Sequence, residues 1–194
     1  MGLFPIIVSA PSGGGKTSIV QSLLEADRGL LRVITATTRA PRAGEKNGRD
    51  YYFWSAAEFE KAIKKHEMAE WAKIHTHYYG IPKSSVENIL KRNKCPVLVI
   101  DVQGAKTIKK IYPDAVSIFI TPSSLKELKK RICARNDGTK NIELRLKTAQ
   151  RELKEIKRYD YLVLNDIFEQ AVLDCLIIIQ AQRHNIKYLK DLKI

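Results

Sequence analysis

The chain has 194 residues, with 44% hydrophobic and 28% charged side chains and a formal net charge of +13. This size and composition are typical of one globular α/β domain, and no apolar run is long enough to cross a membrane. The charge is compatible with nucleic-acid binding, but aromatic residues do not alternate with the basic runs, which favours a protein that handles anionic nucleotides. The three cysteines are far apart and form no C-x-x-C pair, which favours a reducing, cytoplasmic location.

The first predicted elements are a strand, a glycine-rich turn and a helix. Residues 4–8 form an apolar run typical of a buried parallel strand, and residues 18–24 are apolar at helical spacing. Between them, A-P-S-G-G-G-K-T at residues 10–17 matches a P-loop except that Ala10 replaces the first glycine. Glycines allow backbone N–H groups to converge on phosphate oxygens. Lys16 can reach the β- and γ-phosphates, and the Thr17 hydroxyl can ligate Mg²⁺.

A basic, turn-rich segment follows at residues 37–53. Arg39 and Arg42 lie three apart around Pro41, a spacing that cannot form a settled helix face. They are better interpreted as phosphate-binding forks on a rigid loop. Taken alone, a solvated basic turn would be the commoner explanation.

Three local patterns then predict two helix starts and a turn. Ser55 and Glu58 have the spacing of a capping box, which predicts a helix start. Residues 77–82 contain Gly80 and Pro82 and are predicted to form a turn. Ser84 is predicted to cap the next helix.

The second half of the chain alternates apolar strands with helices. Residues 96–101 form an apolar run that ends at Asp101, at the strand end where doubly wound sheets bind ligands. Arg131 and Arg135 are four apart and share a helix face, and Arg145 follows a short polar tip. The alternation predicts a doubly wound parallel sheet with helices on both faces.

Together these motifs resemble the guanylate kinases. The matching stretches occur in family order: S-A-P-S-G-G-G-K-T at 9–17, T-T-R-A-P-R-A-G-E at 37–45, E-W-A at 70–72, Y-Y-G at 78–80, D-V-Q-G at 101–104 and Y-D-Y-L-V-L-N-D at 159–166. Many enzymes share the P-loop, whereas the arginine-proline stretch with the later Y-Y-G is far more specific. Alanine at the first P-loop position is also usual in this family.

The resemblance implies one domain over residues 1–194. Its P-loop core would comprise residues 1–34 and 86–194, with a GMP-binding insertion at 35–85 and a short helical lid at about 131–146. The implied reaction transfers the γ-phosphoryl group of ATP to GMP, and to dGMP, with Mg²⁺ as cofactor. The implied partners are ATP and GMP, with no nucleic acid and no membrane, and the chain would be a monomer or a homodimer.

The resemblance also implies the site residues. The catalytic residues would be Lys16, Arg42, Arg131, Arg135 and Arg145. ATP would be bound by Ala10, Pro11, Ser12, Gly13, Gly14, Gly15, Lys16, Thr17, Ser18 and Asn165. GMP would be bound by Thr35, Arg39, Arg42, Tyr51, Glu70, Tyr79, Gly80 and Asp101. Thr17 would be the metal ligand.

Base chemistry explains why two of these residues are acids. Guanine offers N1–H and N2–H₂ donors that carboxylates such as Glu70 and Asp101 can accept. Adenine presents an acceptor at N1, a mismatch that allows discrimination of about 10²–10⁴. The structural alternatives are an exposed acid for Glu70 and a strand-end cap for Asp101.

Two positions depart from the family pattern. Ile81 stands where the family usually has Ser or Thr, so a hydroxyl contact to the base is lost. Val99 stands where the family usually has an additional Asp, which predicts weaker Mg²⁺ binding. Three other functions remain open: a catalytically silent binding module of the same fold, a nucleic-acid-binding P-loop protein, and a kinase acting on another nucleoside monophosphate.

Overall fold

The computed structural model describes residues 2–134 and 142–188. In chain order the elements are β1 (Ile6–Ser9), α1 (Lys16–Ala26), β2 (Leu30–Arg32), β3 (Ala36–Thr37), β4 (Tyr52–Phe53), α2 (Ala56–Lys64), β5 (Met68–Ile74), β6 (His77–Pro82), α3 (Lys83–Lys91), β7 (Cys95–Val99), α4 (Val102–Ile111), β8 (Val116–Thr121), α5 (Leu125–Ala134), α6 (Ile142–Leu153), β9 (Tyr161–Leu164) and α7 (Phe168–Arg183). Two short 3₁₀ helices follow α6 and α7, at Ile156–Arg158 and Ile186–Tyr188.

The larger sheet has five parallel strands in the order β2-β7-β1-β8-β9. Successive side chains of β1 point to opposite faces. Ile6 and Val8 pack in the cluster that includes α1 and α7, whereas Ile7 packs with Val86 of α3 and Ile108 of α4. Helices therefore cover both faces, and the predicted doubly wound core is confirmed.

The smaller sheet lies within residues 36–82 and has the order β4-β3-β6-β5. Strand β6 pairs antiparallel with both β3 and β5. The turn predicted at residues 77–82 is therefore wrong, because pairing on both edges overrides the local signals of Gly80 and Pro82. A Cβ at Gly80 would lie 2.5 Å from the Glu70 carbonyl oxygen, so glycine permits this close approach of the strands.

Helix α2 covers the smaller sheet. The predicted capping box is confirmed: Ser55 Oγ accepts from the Glu58 N–H, and the Glu58 carboxylate accepts from the Ser55 N–H. The fully buried Phe59 stacks on Tyr78, with ring centroids 5.2 Å apart. The cap predicted at Ser84 is wrong, because α3 begins one residue earlier, at Lys83 after Pro82, without a side-chain cap.

Helices α5 and α6 form a pair, held together by buried Leu128, Ile132 and Ala149. They span the predicted lid, of which residues 135–141, including Arg135, lie outside the described residues. The division into core, insertion and lid stays a prediction. In the described part of the chain, no helix has the length and apolar character needed to cross a bilayer.

Candidate active site

The P-loop connects β1 to α1 and borders a cavity of about 510 Å³. Gly13 and Gly15 have φ angles of 85° and 88°, the left-handed conformation that glycine adopts without strain. Ala10 is not among the residues with positive φ, so the alanine is tolerated there. The cavity is lined by Ala10, Pro11, Ser12, Gly13, Gly15, Lys16, Thr17, Ser18, Arg131, Thr148 and Glu152.

Lys16 lies at the centre of this site. Its Nζ donates a hydrogen bond to the carbonyl oxygen of Ile100, 3.1 Å away, at the end of β7. Burial lowers the pKa of Lys16, and the nearby carboxylates of Asp101 and Glu152 act in the opposite direction. Lys16 is therefore close to two acidic side chains, in a cavity that Arg131 also lines.

Asn165 packs against the P-loop and hydrogen-bonds to its backbone. It is buried, and its Nδ2 donates to the Gly14 carbonyl oxygen at 2.9 Å. A Cβ at Gly15 would lie only 2.3 Å from this nitrogen. Gly14 is equally confined, since a Cβ there would lie 2.8 Å from that of Ala10. The loop can therefore pass over Asn165 only with glycines at these positions.

Two of the predicted catalytic arginines approach the P-loop from the helix pair. Arg131 on α5 donates to the Asn165 carbonyl oxygen at 2.8 Å and to Glu127 at 2.8 Å. Arg145 on α6 donates from Nε to Ser12 Oγ at 3.2 Å. Both guanidinium groups are thus next to the phosphate cavity.

The smaller sheet and its loop position Arg39. Its guanidinium donates to both oxygens of Glu45, at 2.8 and 2.9 Å, and lies 5.6 Å from the centre of the Tyr51 ring. The hydrogen bond to Glu45 raises the pKa of Arg39, and the Tyr79 hydroxyl adds to this effect. Arg42 is exposed, and its backbone N–H donates to Glu45 at 2.7 Å. This loop brings together four predicted residues of the GMP site.

Glu70 on β5 and Asp101 before α4 line one cavity of about 320 Å³. Asp101 is the N-cap of α4, and its Oδ1 accepts from the N–H groups of Gln103 and Gly104 at 2.9 and 2.8 Å. The capping alternative is therefore confirmed for Asp101, and its role towards guanine stays a prediction. Burial, followed by the charge of Asp101, raises the pKa of Glu70 to about 7.

The remaining predicted GMP residues lie on the smaller sheet. Gly80 is buried in β6 and pairs with Ala36 and Trp71. Thr35 is half-buried, and its carbonyl oxygen accepts from the Tyr52 N–H at 2.9 Å.

The two departures from the family pattern have different surroundings. Ile81 is 1% exposed and packs in the hydrophobic core beside α3 and α4. Val99 is half-buried and lines a cavity of about 330 Å³ together with Thr17 and Arg32. Ile81 thus contributes to packing, whereas Val99 borders the predicted metal position.

Sequence reasoning missed Glu152, which lines the phosphate cavity beside Lys16. A helical-spacing argument could have found it, because Glu152 follows Arg145 by seven residues, two turns of helix. In the sequence it resembles any charged residue of a solvated helix face.

A P-loop on a five-stranded parallel sheet, with Arg131 in its cavity and a second cavity lined by the smaller sheet and Asp101, defines a P-loop phosphotransferase of the nucleotide-kinase class. Comparison with known proteins narrows this class. Residues 3–182 match the family model described as guanylate kinase. A guanylate kinase of Rickettsia felis is 44% identical over 181 residues, which cover 92% of this chain and 93% of that protein.

Two further comparisons agree. A guanylate kinase of Caldanaerobacter subterraneus subsp. tengcongensis is 42% identical over 188 residues, which cover 96% of this chain and 91% of that protein. The crystal structure of guanylate kinase from Anaplasma phagocytophilum has a TM-score of 0.75 and 30% identity, with 96% of this chain and 89% of that chain covered. The chain belongs to the guanylate kinase family.

Proposed function

We propose that this chain transfers the γ-phosphoryl group of ATP to GMP, and to dGMP, and releases ADP and GDP. The observation that carries the proposal is the junction at Ile100 and Asp101. Ile100 O holds Lys16 in the phosphate cavity, and the next residue, Asp101, lines the cavity that contains Glu70. In this proposal the phosphate site and the base site lie next to each other at one strand end.

The ATP phosphates would occupy the cavity above the P-loop. Backbone N–H groups of the loop and the N-terminus of α1 would bind them, since both present donors to an anion. Lys16, Arg131 and Arg145 would neutralise the charge that develops on the transferring group. Arg135 has the same role in this proposal by its position in the sequence.

GMP would enter between the Arg39 loop and the acid pair. Arg39 and Arg42, with the hydroxyls of Tyr51 and Tyr79, would bind its phosphate, because guanidinium groups match phosphate oxygens in pairs. Glu70 and Asp101 would accept the N1–H and N2–H₂ donors of guanine. Thr35 and Gly80 would line the base.

Thr17 fits the role of a Mg²⁺ ligand, because it is exposed and lines both the phosphate cavity and the Val99 cavity. No group of three or more His, Cys, Asp or Glu side chains converges within residues 2–134 and 142–188. Mg²⁺ commonly uses few protein ligands and takes the rest from phosphates and water. When bound, the ion would neutralise phosphate charge and orient the phosphate oxygens.

In the transfer itself, an oxygen of the GMP phosphate forms a bond to the γ-phosphorus of ATP. The bond from this phosphorus to the β,γ-bridging oxygen breaks, and ADP leaves with the electron pair. The attacking oxygen is already ionised, so no side chain is needed as a base. The arginines must bring two anions together and exclude water, since water is a competing acceptor.

The decisive experiment is an ADP-release assay with ATP and Mg²⁺, run against GMP, dGMP, AMP, CMP and UMP. Turnover with GMP and dGMP, and little with AMP, is the expected result. Turnover with AMP would overturn the assignment of Glu70 and Asp101. No turnover with any nucleotide, while GMP still binds, would indicate a silent binding module.

We further propose that the chain acts in the cytoplasm on small-molecule substrates, as a monomer or a homodimer, without nucleic acid or membrane. Cys95 and Cys175 are free and buried, which suits a reducing compartment. The net charge of +13 makes DNA the relevant control. Retention on a DNA column at physiological salt would contradict this part of the proposal.

A further inference from the structure

Helix α6 directs one face at the P-loop. Arg145, Thr148 and Glu152 follow one another at intervals of three and four residues, a spacing that places them on one side of a helix. Arg145 contacts Ser12, and Thr148 and Glu152 line the phosphate cavity. Of these three, only Arg145 has a place in the proposed function so far.

Glu152 is the anionic member of this face. It lines the phosphate cavity together with Lys16 and Ser12. Burial raises its pKa, and the charge of Lys16 and the Ser12 backbone N–H act against this rise. Its Oε2 atom is buried and has no hydrogen-bond partner within the described part of the chain. A buried acceptor without a partner costs about 1–3 kcal/mol, so it is unfavourable for folding alone.

Two neighbouring groups share this property. Among the described residues, Ser9 Oγ and Tyr159 OH are the other buried side-chain atoms without a hydrogen-bond partner of good geometry. Tyr159 lies near Ser9, Asp101 and Glu152, and burial raises its pKa to about 12. All three unpartnered atoms therefore belong to one cluster beside the phosphate site. Such clustering points to function, because native proteins otherwise satisfy nearly all buried polar groups.

Glu152 also differs from the second acid near Lys16. Asp101 caps α4 through its Oδ1 and faces Glu70 in the base cavity. Glu152 lines the phosphate cavity, where a carboxylate repels the phosphate groups of a substrate. Its presence there therefore indicates another role. Holding Lys16 and the P-loop backbone is a task that its position allows.

We propose that Glu152 is a positioning residue for phosphoryl transfer, which holds Lys16 and the Ser12 backbone in place and fixes the helix that carries Arg145. The proposal rests on the proposed function. Lys16 donates to the Ile100 carbonyl oxygen, and it lines the same cavity as Glu152, whose carboxylate would orient the ammonium group there. Glu152 itself does not touch the reacting atoms.

The test compares three variants. Glu152→Ala removes the charge and the acceptor, whereas Glu152→Gln keeps an acceptor for the Ser12 N–H. The matched control is Glu143→Gln, which removes the same charge from an exposed position in the first turn of α6. For each variant we would measure kcat, KM for ATP and for GMP, ADP affinity by calorimetry, and the melting temperature.

A misplaced catalytic cation can cost about 100-fold in rate, so Glu152→Ala is expected to lower kcat by about that factor while KM for GMP stays within about threefold. Glu152→Gln should recover about a tenth of the wild-type kcat. The control should stay within about twofold. A kcat of Glu152→Ala within about threefold of wild type, in a folded protein, would overturn the proposal.

The direction in which ADP affinity changes is an independent test of the role of Glu152. A carboxylate that merely repels phosphates would, when removed, strengthen ADP binding. A positioning residue predicts the opposite, so Glu152→Ala should bind ADP at least about threefold more weakly than Glu143→Gln. If the wild-type chain itself transfers no phosphoryl group, the proposed function fails and this arm alone decides. Equal or tighter ADP binding would then overturn the role of Glu152.

Discussion

The carboxylates of Glu70 and Asp101 meet across the boundary between the two sheets. A Cβ at Gly104 would lie 3.6 Å from Oδ1 of Asp101 and 3.6 Å from Cδ of Glu70. Burial and the neighbouring acid raise the pKa of Glu70 to about 7. Near neutral pH a large fraction of the empty protein therefore carries a proton on Glu70, the group that is ionised in the proposed contact with guanine.

This relationship predicts a pH-dependent GMP affinity. GMP should bind more tightly as the pH rises through about 7, because Glu70 then loses its proton. Glu70→Gln should weaken GMP binding at least about tenfold and remove this dependence. The control Glu67→Gln removes an exposed charge nearby and should keep the dependence. Isothermal titration of GMP from pH 6 to 8 measures both.

The same pKa predicts a stability effect. A pKa raised from 4.5 to about 7 in the folded state stabilises the fold fully below 4.5, and this stability is lost as the pH rises through about 7. Glu70→Gln should therefore increase the free energy of unfolding of the empty protein at pH 8, by up to about 3 kcal/mol, and raise its melting temperature. At pH 5 both effects should be much smaller. An equal shift at both pH values would contradict the protonation of Glu70.

Arg39 is held by Glu45 in a two-oxygen contact before any ligand binds. Arg39→Lys should raise KM for GMP at least about tenfold and leave KM for ATP nearly unchanged, because an ammonium cannot reproduce the guanidinium fork. Arg49→Lys is the control, since Arg49 is exposed and pairs with Asp50 on the same loop. Steady-state kinetics with each substrate varied would show the difference. Equal effects of the two substitutions would remove Arg39 from the GMP site.

Gly15 and Gly44 make a matched pair. Their φ angles are 88° and 85°, so alanine costs about 1–2 kcal/mol of backbone strain at either position. A Cβ at Gly15 would lie 2.3 Å from Asn165 Nδ2, whereas at Gly44 nothing lies within 4 Å. Gly15→Ala should abolish the ADP-induced rise in melting temperature, and Gly44→Ala should retain it. Retention in both would mean that the P-loop does not bind the nucleotide.

The side chain at position 99 should determine how much Mg²⁺ the activity requires. Val99→Asp would place a carboxylate in the cavity that Thr17 lines. The Mg²⁺ concentration at half-maximal activity should therefore fall at least about threefold. Val99→Asn is the control, because it has the same shape as aspartate without its charge. Mg²⁺ titrations of the rate compare the three proteins. An unchanged requirement in Val99→Asp would refute the link between this position and the metal.

Sequence alone predicted the features whose signals are local. The P-loop, the Ser55 capping box and the parallel strands each depend on a few neighbouring residues. Strand β6 was predicted as a turn, because its Gly80 and Pro82 suggest a break, but it pairs with the neighbouring strand β5 and with the more distant strand β3. The structure therefore corrects a segment whose pairing partners its own residues do not reveal.

Glu152 illustrates the same limit for the site. Its neighbours along the chain include Arg151 and Lys154, both exposed and charged, so the local pattern indicates a solvated face. Only the packing of Ala149 against α5, and of α6 against the P-loop, turns this carboxylate towards Lys16. The seven-residue spacing places Glu152 on the same helix face as Arg145, but it does not show that this face meets the P-loop.

The position of Ile100 links the phosphate cavity to the cavity that contains Glu70. Its carbonyl oxygen anchors Lys16, and the residue directly after it, Asp101, faces the base cavity. One peptide link thus joins the residue that anchors Lys16 to the residue that shares a cavity with Glu70. A displacement of this strand end would therefore move both side-chain contacts together.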